Sequence, residues 1–131
     1  MELIRSWMFV PGHRQKMIDK ALGLNADAIM LDIEDGVAPN EKDAARRNIA
    51  DSLGREKAPG TPARYVRINA IGHPRMDADL EAVVRPGLEG LRSSFHTVWR
   101  SEKSFFASST NLRKKAITCA PTMLDICSAF R

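Results

Sequence analysis

Three carboxylates, Asp32, Glu34 and Asp35, close an apolar run at 28–31, and one arginine, Arg67, stands inside a second apolar run at 65–69. Asp32 and Glu34 are two apart on extended backbone, so both point to one side. Carboxylates at the end of an apolar strand are costly to bury unless paired or metal-linked. Either they line a site, or they cap the next turn or pair with Arg67. An arginine between apolar neighbours needs an anion, and its planar fork suits a carboxylate gripped at two points, the protein's own or a substrate's. Lys16 and Lys20 lie four apart, on one face of a helix that follows the turn at Pro11 and Gly12. A helix start with two ammonium groups suits a phosphate; a solvated basic face is the plainer account. His13 reads as a polar turn residue.

Those side chains need strands to carry them. Residues 7–10, Trp-Met-Phe-Val, form an apolar run stopped by Pro11 and Gly12, the pattern of a buried strand ending in a turn. A helix from about Arg14 to Leu22 follows, with Met17, Ile18, Ala21 and Leu22 on one stripe and Gly23 at its end. The continuous run at 28–31 indicates a strand buried on both faces. A second helix starts after Pro39, capped by Asn40 with Asp43 in its first turn, and buries Ala45, Ile49 and Leu53. Residues 65–69 make a third strand. After Pro74 a third helix repeats Met76, Leu80, Val83 and Val84, and Pro86 and Gly87 end it. Strand and helix alternate, which implies an α/β fold with parallel strands. In that architecture ligands gather at the C-terminal strand ends, where 9–13, 32–35 and 67–69 stand.

At 131 residues, 27% charged and 44% hydrophobic, the chain suits one globular domain and not a disordered or low-complexity protein. It is too short for a complete (β/α)8 barrel, which takes roughly 250 residues. No run approaches the roughly 18 apolar residues of a membrane helix, and residues 1–5 carry no apolar signal region. The cytoplasm is therefore the expected compartment. The net charge of +4 hints at an anionic partner until the chain is divided after Leu91. Residues 1–91 hold 13 Lys and Arg against 14 Asp and Glu, whereas 92–131 hold 7 against 2. All 8 glycines lie in the first part and 7 of the 9 serines in the second. Residues 1–91 thus read as a domain and 92–131 as a divergent basic tail, irregular, disordered or out of frame. Within the tail only 108–111 and 120–126 suggest short helices. Cys119 and Cys127, without a second pair or nearby histidines, make no zinc signature and read as free thiols. Glycine-rich nucleotide loops and the Gly-x-Ser-x-Gly elbow are missing, so NTPase and serine-hydrolase chemistry have no support.

The segments 5–12, 26–39, 41–46 and 66–69 occur in an order and at separations that resemble the start of the citrate lyase beta-subunit family, the HpcH/HpaI-type aldolases and acyl-CoA lyases. The resemblance covers about 1–91. It implies the first three βα units of a Mg²⁺-dependent (β/α)8 TIM barrel, often a homo-oligomer, that makes or breaks a carbon–carbon bond in 3-hydroxy-acid CoA thioesters such as citryl-, malyl- or citramalyl-CoA. Breaking the bond beside a thioester carbonyl leaves an enolate, whose charge the metal and nearby donors stabilise. By the same resemblance Arg67 matches a substrate-holding arginine, and Phe9, Lys16 and Lys20 match substrate-contacting positions. The family's metal-binding Glu and Asp fall beyond the matching region, where only Glu102 and Asp125 remain as acids, in unlike surroundings. The expectation is a truncated lyase chain, inactive, poorly stable and self-associating on its own, because three units leave an open sheet edge and an unfilled interior. Two other readings stand beside it: a non-catalytic partner of a full-length lyase, and a module whose basic tail binds nucleic acid or an acidic protein. The diffuse tail charge, without interleaved aromatics, argues against nucleic acid.

Overall fold

The computed structural model describes residues 3–70, 73–93 and 97–100, the last four as strand backbone. The elements run β1 (Trp7–Pro11), α1 (Gln15–Leu22), β2 (Ala28–Asp32), α2 (Lys42–Leu53), β3 (Ala63–Ile68), α3 (Met76–Val83), β4 (Gly90–Ser93) and β5 (Thr97–Arg100). They form one sheet in the order β1-β2-β3-β4-β5. The first four strands are parallel and β5 is antiparallel to β4.

Alternation along the strands separates two faces. Val10, Ile29, Leu31, Val66, Ile68 and Leu91 join Ile18, Ala21, Ala45, Ile49, Leu53, Leu80 and Val83 in the main core between sheet and helices. Each such aliphatic side chain contributes about 1.5–3 kcal/mol when fully buried. On the other face Ala28, Met30 and Tyr65 form a smaller cluster, and the Trp7 ring lies 4.7 Å from that of Tyr65. All of β2 is buried, as its unbroken apolar run requires. Register then stacks side chains in rows across the second face, with Phe9, Met30, Tyr65 and Gly90 in one row and Pro11, Asp32, Arg67 and Arg92 in the next.

Several expectations shift. The second helix starts at Lys42 with Glu41 at its cap, not after an Asn40 cap. Residues 38–41 close a turn first, with the Glu41 N–H donating to the Ala38 carbonyl at 2.9 Å. Met17, expected on the buried stripe, is 46% exposed, because α1 flanks the outermost strand and nothing among the described residues packs beyond it. Val84 lies one residue past α3. The third strand starts two residues early, at Ala63, and ends at Ile68. Regular structure also continues past Leu91, where an irregular tail was expected: β3 offers an open edge, and Leu91 and Ser93 are buried as β4 pairs with it. The two short helices expected in the tail, Cys119 and Cys127, and the basic cluster at 113–115 lie outside the described residues.

Arg64, on the helix-facing side of β3, is 2% exposed, and among the described residues no carboxylate is hydrogen-bonded to it. Its Nη1 donates to the carbonyls of Ser52 and Arg55 at 3.0 and 2.9 Å, closing the C-terminal end of α2. The Ser52 carbonyl, which also accepts the Arg55 N–H at 3.4 Å, lies at the negative end of the helix dipole and favours a cation there. Burial nevertheless pulls the Arg64 guanidinium below its ordinary value. The chain passes this corner at Gly87, where φ is +94° and a Cβ would sit 2.1 Å from the Leu53 carbonyl oxygen. A left-handed residue with a Cβ costs roughly 1–2 kcal/mol before any clash. Gly87→Ala is therefore expected to lower unfolding stability by more than about 2 kcal/mol, read from the urea midpoint; an unchanged midpoint would refute this account of the corner. Among the described residues no helix is long and apolar enough to cross a membrane.

Candidate functional site

The C-terminal ends of β2 and β3 meet because Asp32 and Arg67 are register partners on the same sheet face. Arg67 Nε donates to Asp32 Oδ1 at 2.8 Å and Nη2 donates to Oδ2 at 2.6 Å, a two-point grip. The same carboxylate accepts the Glu34 N–H on Oδ1 and the Gly36 N–H on Oδ2, both at 2.8 Å. The sequence offered capping the next turn or pairing with Arg67, and Asp32 does both. Gly36 is required there, since a Cβ would lie 2.6 Å from Asp32 Oδ2.

Glu34 and Asp35 converge on the same guanidinium. Glu34 Oε2 lies 3.5 Å from Nε, and this buried oxygen has no hydrogen bond. Asp35 Oδ2 accepts from Nη1 at 3.3 Å, on a side chain that is 78% exposed. The Arg67 Cζ lies 5.4 Å from the centre of the Phe9 ring, a cation–π stack on a half-exposed aromatic. Phe9, Asp32, Glu34, Asp35 and Arg67 therefore form one cluster. Lys16 and Lys20 do not join it. Both are exposed on α1, and neither makes a hydrogen bond or ion pair with the cluster.

The charges adjust accordingly. Burial pushes the Asp32 carboxyl up, yet the hydrogen bonds from Arg67, Glu34 N–H and Gly36 N–H outweigh it and hold the group below the ordinary carboxylate range. Arg67 is raised chiefly by its hydrogen bonds to Asp32, against some loss from burial.

A second network supports the first, and sequence reasoning did not single it out. Lys42 is 7% exposed, and its Nζ donates to the Ile33 and Glu34 carbonyls at 2.6 and 2.8 Å and to Asn69 Oδ1 at 3.0 Å. Burial draws its ammonium below the usual lysine value, with Asp79 and Asp32 pulling the other way. Asn69 donates through its N–H to Asp79 Oδ2 at 2.9 Å, and Arg46 Nε donates to Asp79 Oδ1 at 2.8 Å. Asp79 is fully buried and Arg46 also pairs with Asp43. One signal pointed this way: a lysine in the first turn of a helix opposes the dipole and needs a strong acceptor elsewhere. His13, at the end of β1, accepts from Arg14 Nε at 3.1 Å, and its turn is tied to α2 because Asn48 Nδ2 donates to the Gly12 and His13 carbonyls.

The acids do not fit a divalent cation. Both Asp32 oxygens are taken by a guanidinium and two backbone N–H groups, and among the described residues no group of three His, Cys, Asp or Glu side chains could hold a metal ion.

Parallel strands alternating with helices, carrying an ion-paired arginine at their C-terminal ends, define an α/β unit of the kind found in α/β barrels, whose ligands gather at that end. Comparison with known proteins sharpens that class. The HpcH/HpaI aldolase/citrate lyase family matches residues 5–94, and the chain belongs to that family. It is 38% identical over 90 residues to the citrate lyase subunit beta of Leuconostoc mesenteroides subsp. cremoris, covering 69% of this chain and 30% of the relative. It is 41% identical over 81 residues to the mitochondrial citramalyl-CoA lyase of Rattus norvegicus, covering 62% and 24%. Its fold matches protein CitE of Mycobacterium tuberculosis, solved with magnesium, acetoacetate and coenzyme A, with a TM-score of 0.55 and 34% identity over 68% of this chain and 32% of that one. The chain thus spans under a third of the length of these relatives.

A folded-state carboxyl held below its ordinary value adds stability above about pH 4 that is lost as pH falls through the lowered value. Thermal melts of the chain should therefore weaken below about pH 4. Asp32→Asn should be less stable at pH 7 and show a shallower acid loss; an equal acid slope in both proteins would contradict the role given to Asp32.

Proposed function

We propose that this chain carries the opening units of a carbon–carbon lyase that acts on 3-hydroxy-acid thioesters of coenzyme A, of the citryl-, malyl- or citramalyl-CoA kind. One observation carries the reading. Asp32 fixes Arg67 along its Nε and Nη2 edge, so among the described residues the Nη1 side hydrogen-bonds only to the exposed Asp35. Asp35 can swing into solvent and yield that place to a substrate carboxylate or carbonyl oxygen, while Phe9 covers the guanidinium face. A cation set before the substrate arrives stabilises charge without reorganising during the reaction. In this reading Arg67 holds the acid portion of the substrate and Phe9 packs against it. Lys16 and Lys20, free on α1, meet the phosphates of the coenzyme A arm. Glu34 keeps the guanidinium oriented through its partly buried carboxylate.

The Mg²⁺ that the resemblance implies has no place among the described acids, so no step is assigned to it. We read the lyase domain as 1–91 together with the rest of β4, the residues beyond it to 131 as a tail, and the chain as inactive by itself. The family match ends at 94, within three residues of the composition break, in support of that division. A cytoplasmic homo-oligomer is the setting this function suits.

The test uses two proteins. The chain as it stands, assayed with Mg²⁺ and malyl-CoA or citramalyl-CoA, is expected to give no cleavage. A chimera in which residues 1–91 replace the matching segment of a relative should cleave, and Arg67→Met in it should lower kcat/KM by 100-fold or more. A folded chimera without turnover, or one indifferent to Arg67→Met, would overturn the lyase reading; turnover by the chain alone would overturn its inactivity.

A further inference from the structure

Three carboxylates surround Arg67, and they are not equivalent. Both Asp32 oxygens are filled, each by one guanidinium N–H and one backbone N–H. Asp35 is 78% exposed and sits on Nη1, the place that a ligand takes. Glu34 differs from both. Its side chain is only 11% exposed and its Oε2 lies 3.5 Å from Arg67 Nε, yet among the described residues neither of its carboxylate oxygens accepts a hydrogen bond. The Nε–H beside it is already given to Asp32 Oδ1. A largely buried carboxylate without a donor is costly. Its backbone is held all the same, because the Glu34 N–H donates to Asp32 Oδ1 and the Glu34 carbonyl accepts from Lys42 Nζ. The strand end thus fixes a proton acceptor in place and leaves it unused.

The substrate class supplies the missing donor. In citryl, malyl and citramalyl thioesters the 3-hydroxyl stands on a carbon that also carries a carboxylate. A carboxylate held on Arg67 Nη1 therefore brings that hydroxyl to the same guanidinium. A general base must come within about 2.6–3.2 Å of the oxygen it serves, and Glu34 stands at the guanidinium already. We infer, resting on the lyase reading, that Glu34 is the general base of the cleavage. It takes the hydroxyl proton as the bond between the hydroxyl-bearing carbon and the carbon next to the thioester breaks. The hydroxyl-bearing carbon becomes the carbonyl of a 2-oxo acid, and the electron pair of the broken bond passes into the enolate of the thioester. Glu34 then gives its proton to solvent while the enolate carbon takes one from solvent, so no proton is gained or lost. Asp32 has no oxygen left for this task, and Asp35 gives up its place to the substrate. Proton transfer is thus a second role for a side chain that also orients Arg67.

The chimera that carries residues 1–91 in a relative provides the test. Glu34→Gln keeps the shape of the side chain and removes the proton acceptor. Its kcat should fall by about 100-fold or more, the worth of one general base, with KM held within about threefold. A side chain that only orients Arg67 would instead raise KM and leave kcat in place. Glu34→Ala leaves a gap where the carboxylate stood, and added formate should restore its kcat at least tenfold, which requires a folded site. Turnover by the chimera with kcat intact in Glu34→Gln, a change confined to KM, or no recovery with formate would overturn the base and leave the lyase reading standing. A folded chimera without turnover would remove the lyase reading and the base with it.

Discussion

The two-point ion pair between Asp32 and Arg67 is the constraint on which the strand ends depend. Asp32 is 4% exposed, and a carboxylate in that position is costly unless its charge is met. Arg67 meets it from the neighbouring strand, in register, at hydrogen-bond distance. Removing one partner of a buried pair leaves an uncompensated charge and costs about 3–5 kcal/mol. The same carboxylate also collects two backbone N–H groups, so the shape of the turn through Gly36 follows from the pair. One interaction thereby sets the register end of two strands, the path of the following loop and the direction of a guanidinium.

Behind that pair stands a scaffold of buried polar groups. Lys42 reaches from α2 to the carbonyls of Ile33 and Glu34, and Asn69 and Asp79 carry the connection to α3 and back through Arg46 to α2. The network holds the loop that carries Glu34 and Asp35 against the end of β3. Fixed in this way, the cluster offers an arginine whose orientation is set in advance, the property that transition-state charge stabilisation demands. What it does not offer is a set of free carboxylates for a cation. The acids that looked available along the chain are already committed to Arg67.

Much of this was legible in the residues. The runs at 7–10, 28–31 and 65–69 mark three strands because apolar sequence that long, stopped by turn residues, has few other homes. Ala45, Ile49 and Leu53 are buried on α2 as their spacing requires. The convergence of Asp32 and Arg67 was open between two partners, and only register could decide it. Lys42 and Asp79 stayed hidden since an isolated lysine or aspartate in a helix reads as surface. Burial that depends on a partner about 27 residues away, as for Lys42 and Asn69, leaves no local periodicity. β4 escaped notice because four residues with an arginine among them carry too short a pattern, and its burial comes from the edge that β3 supplies.

A double-mutant cycle on Asp32→Asn and Arg67→Met, measured by urea unfolding, tests the central claim most directly. Each single change should destabilise the chain strongly, and the double mutant should lose much less than their sum. The expected coupling is about 2 kcal/mol or more. Additive losses, with a coupling near zero, would show that the two side chains act independently and would contradict the account.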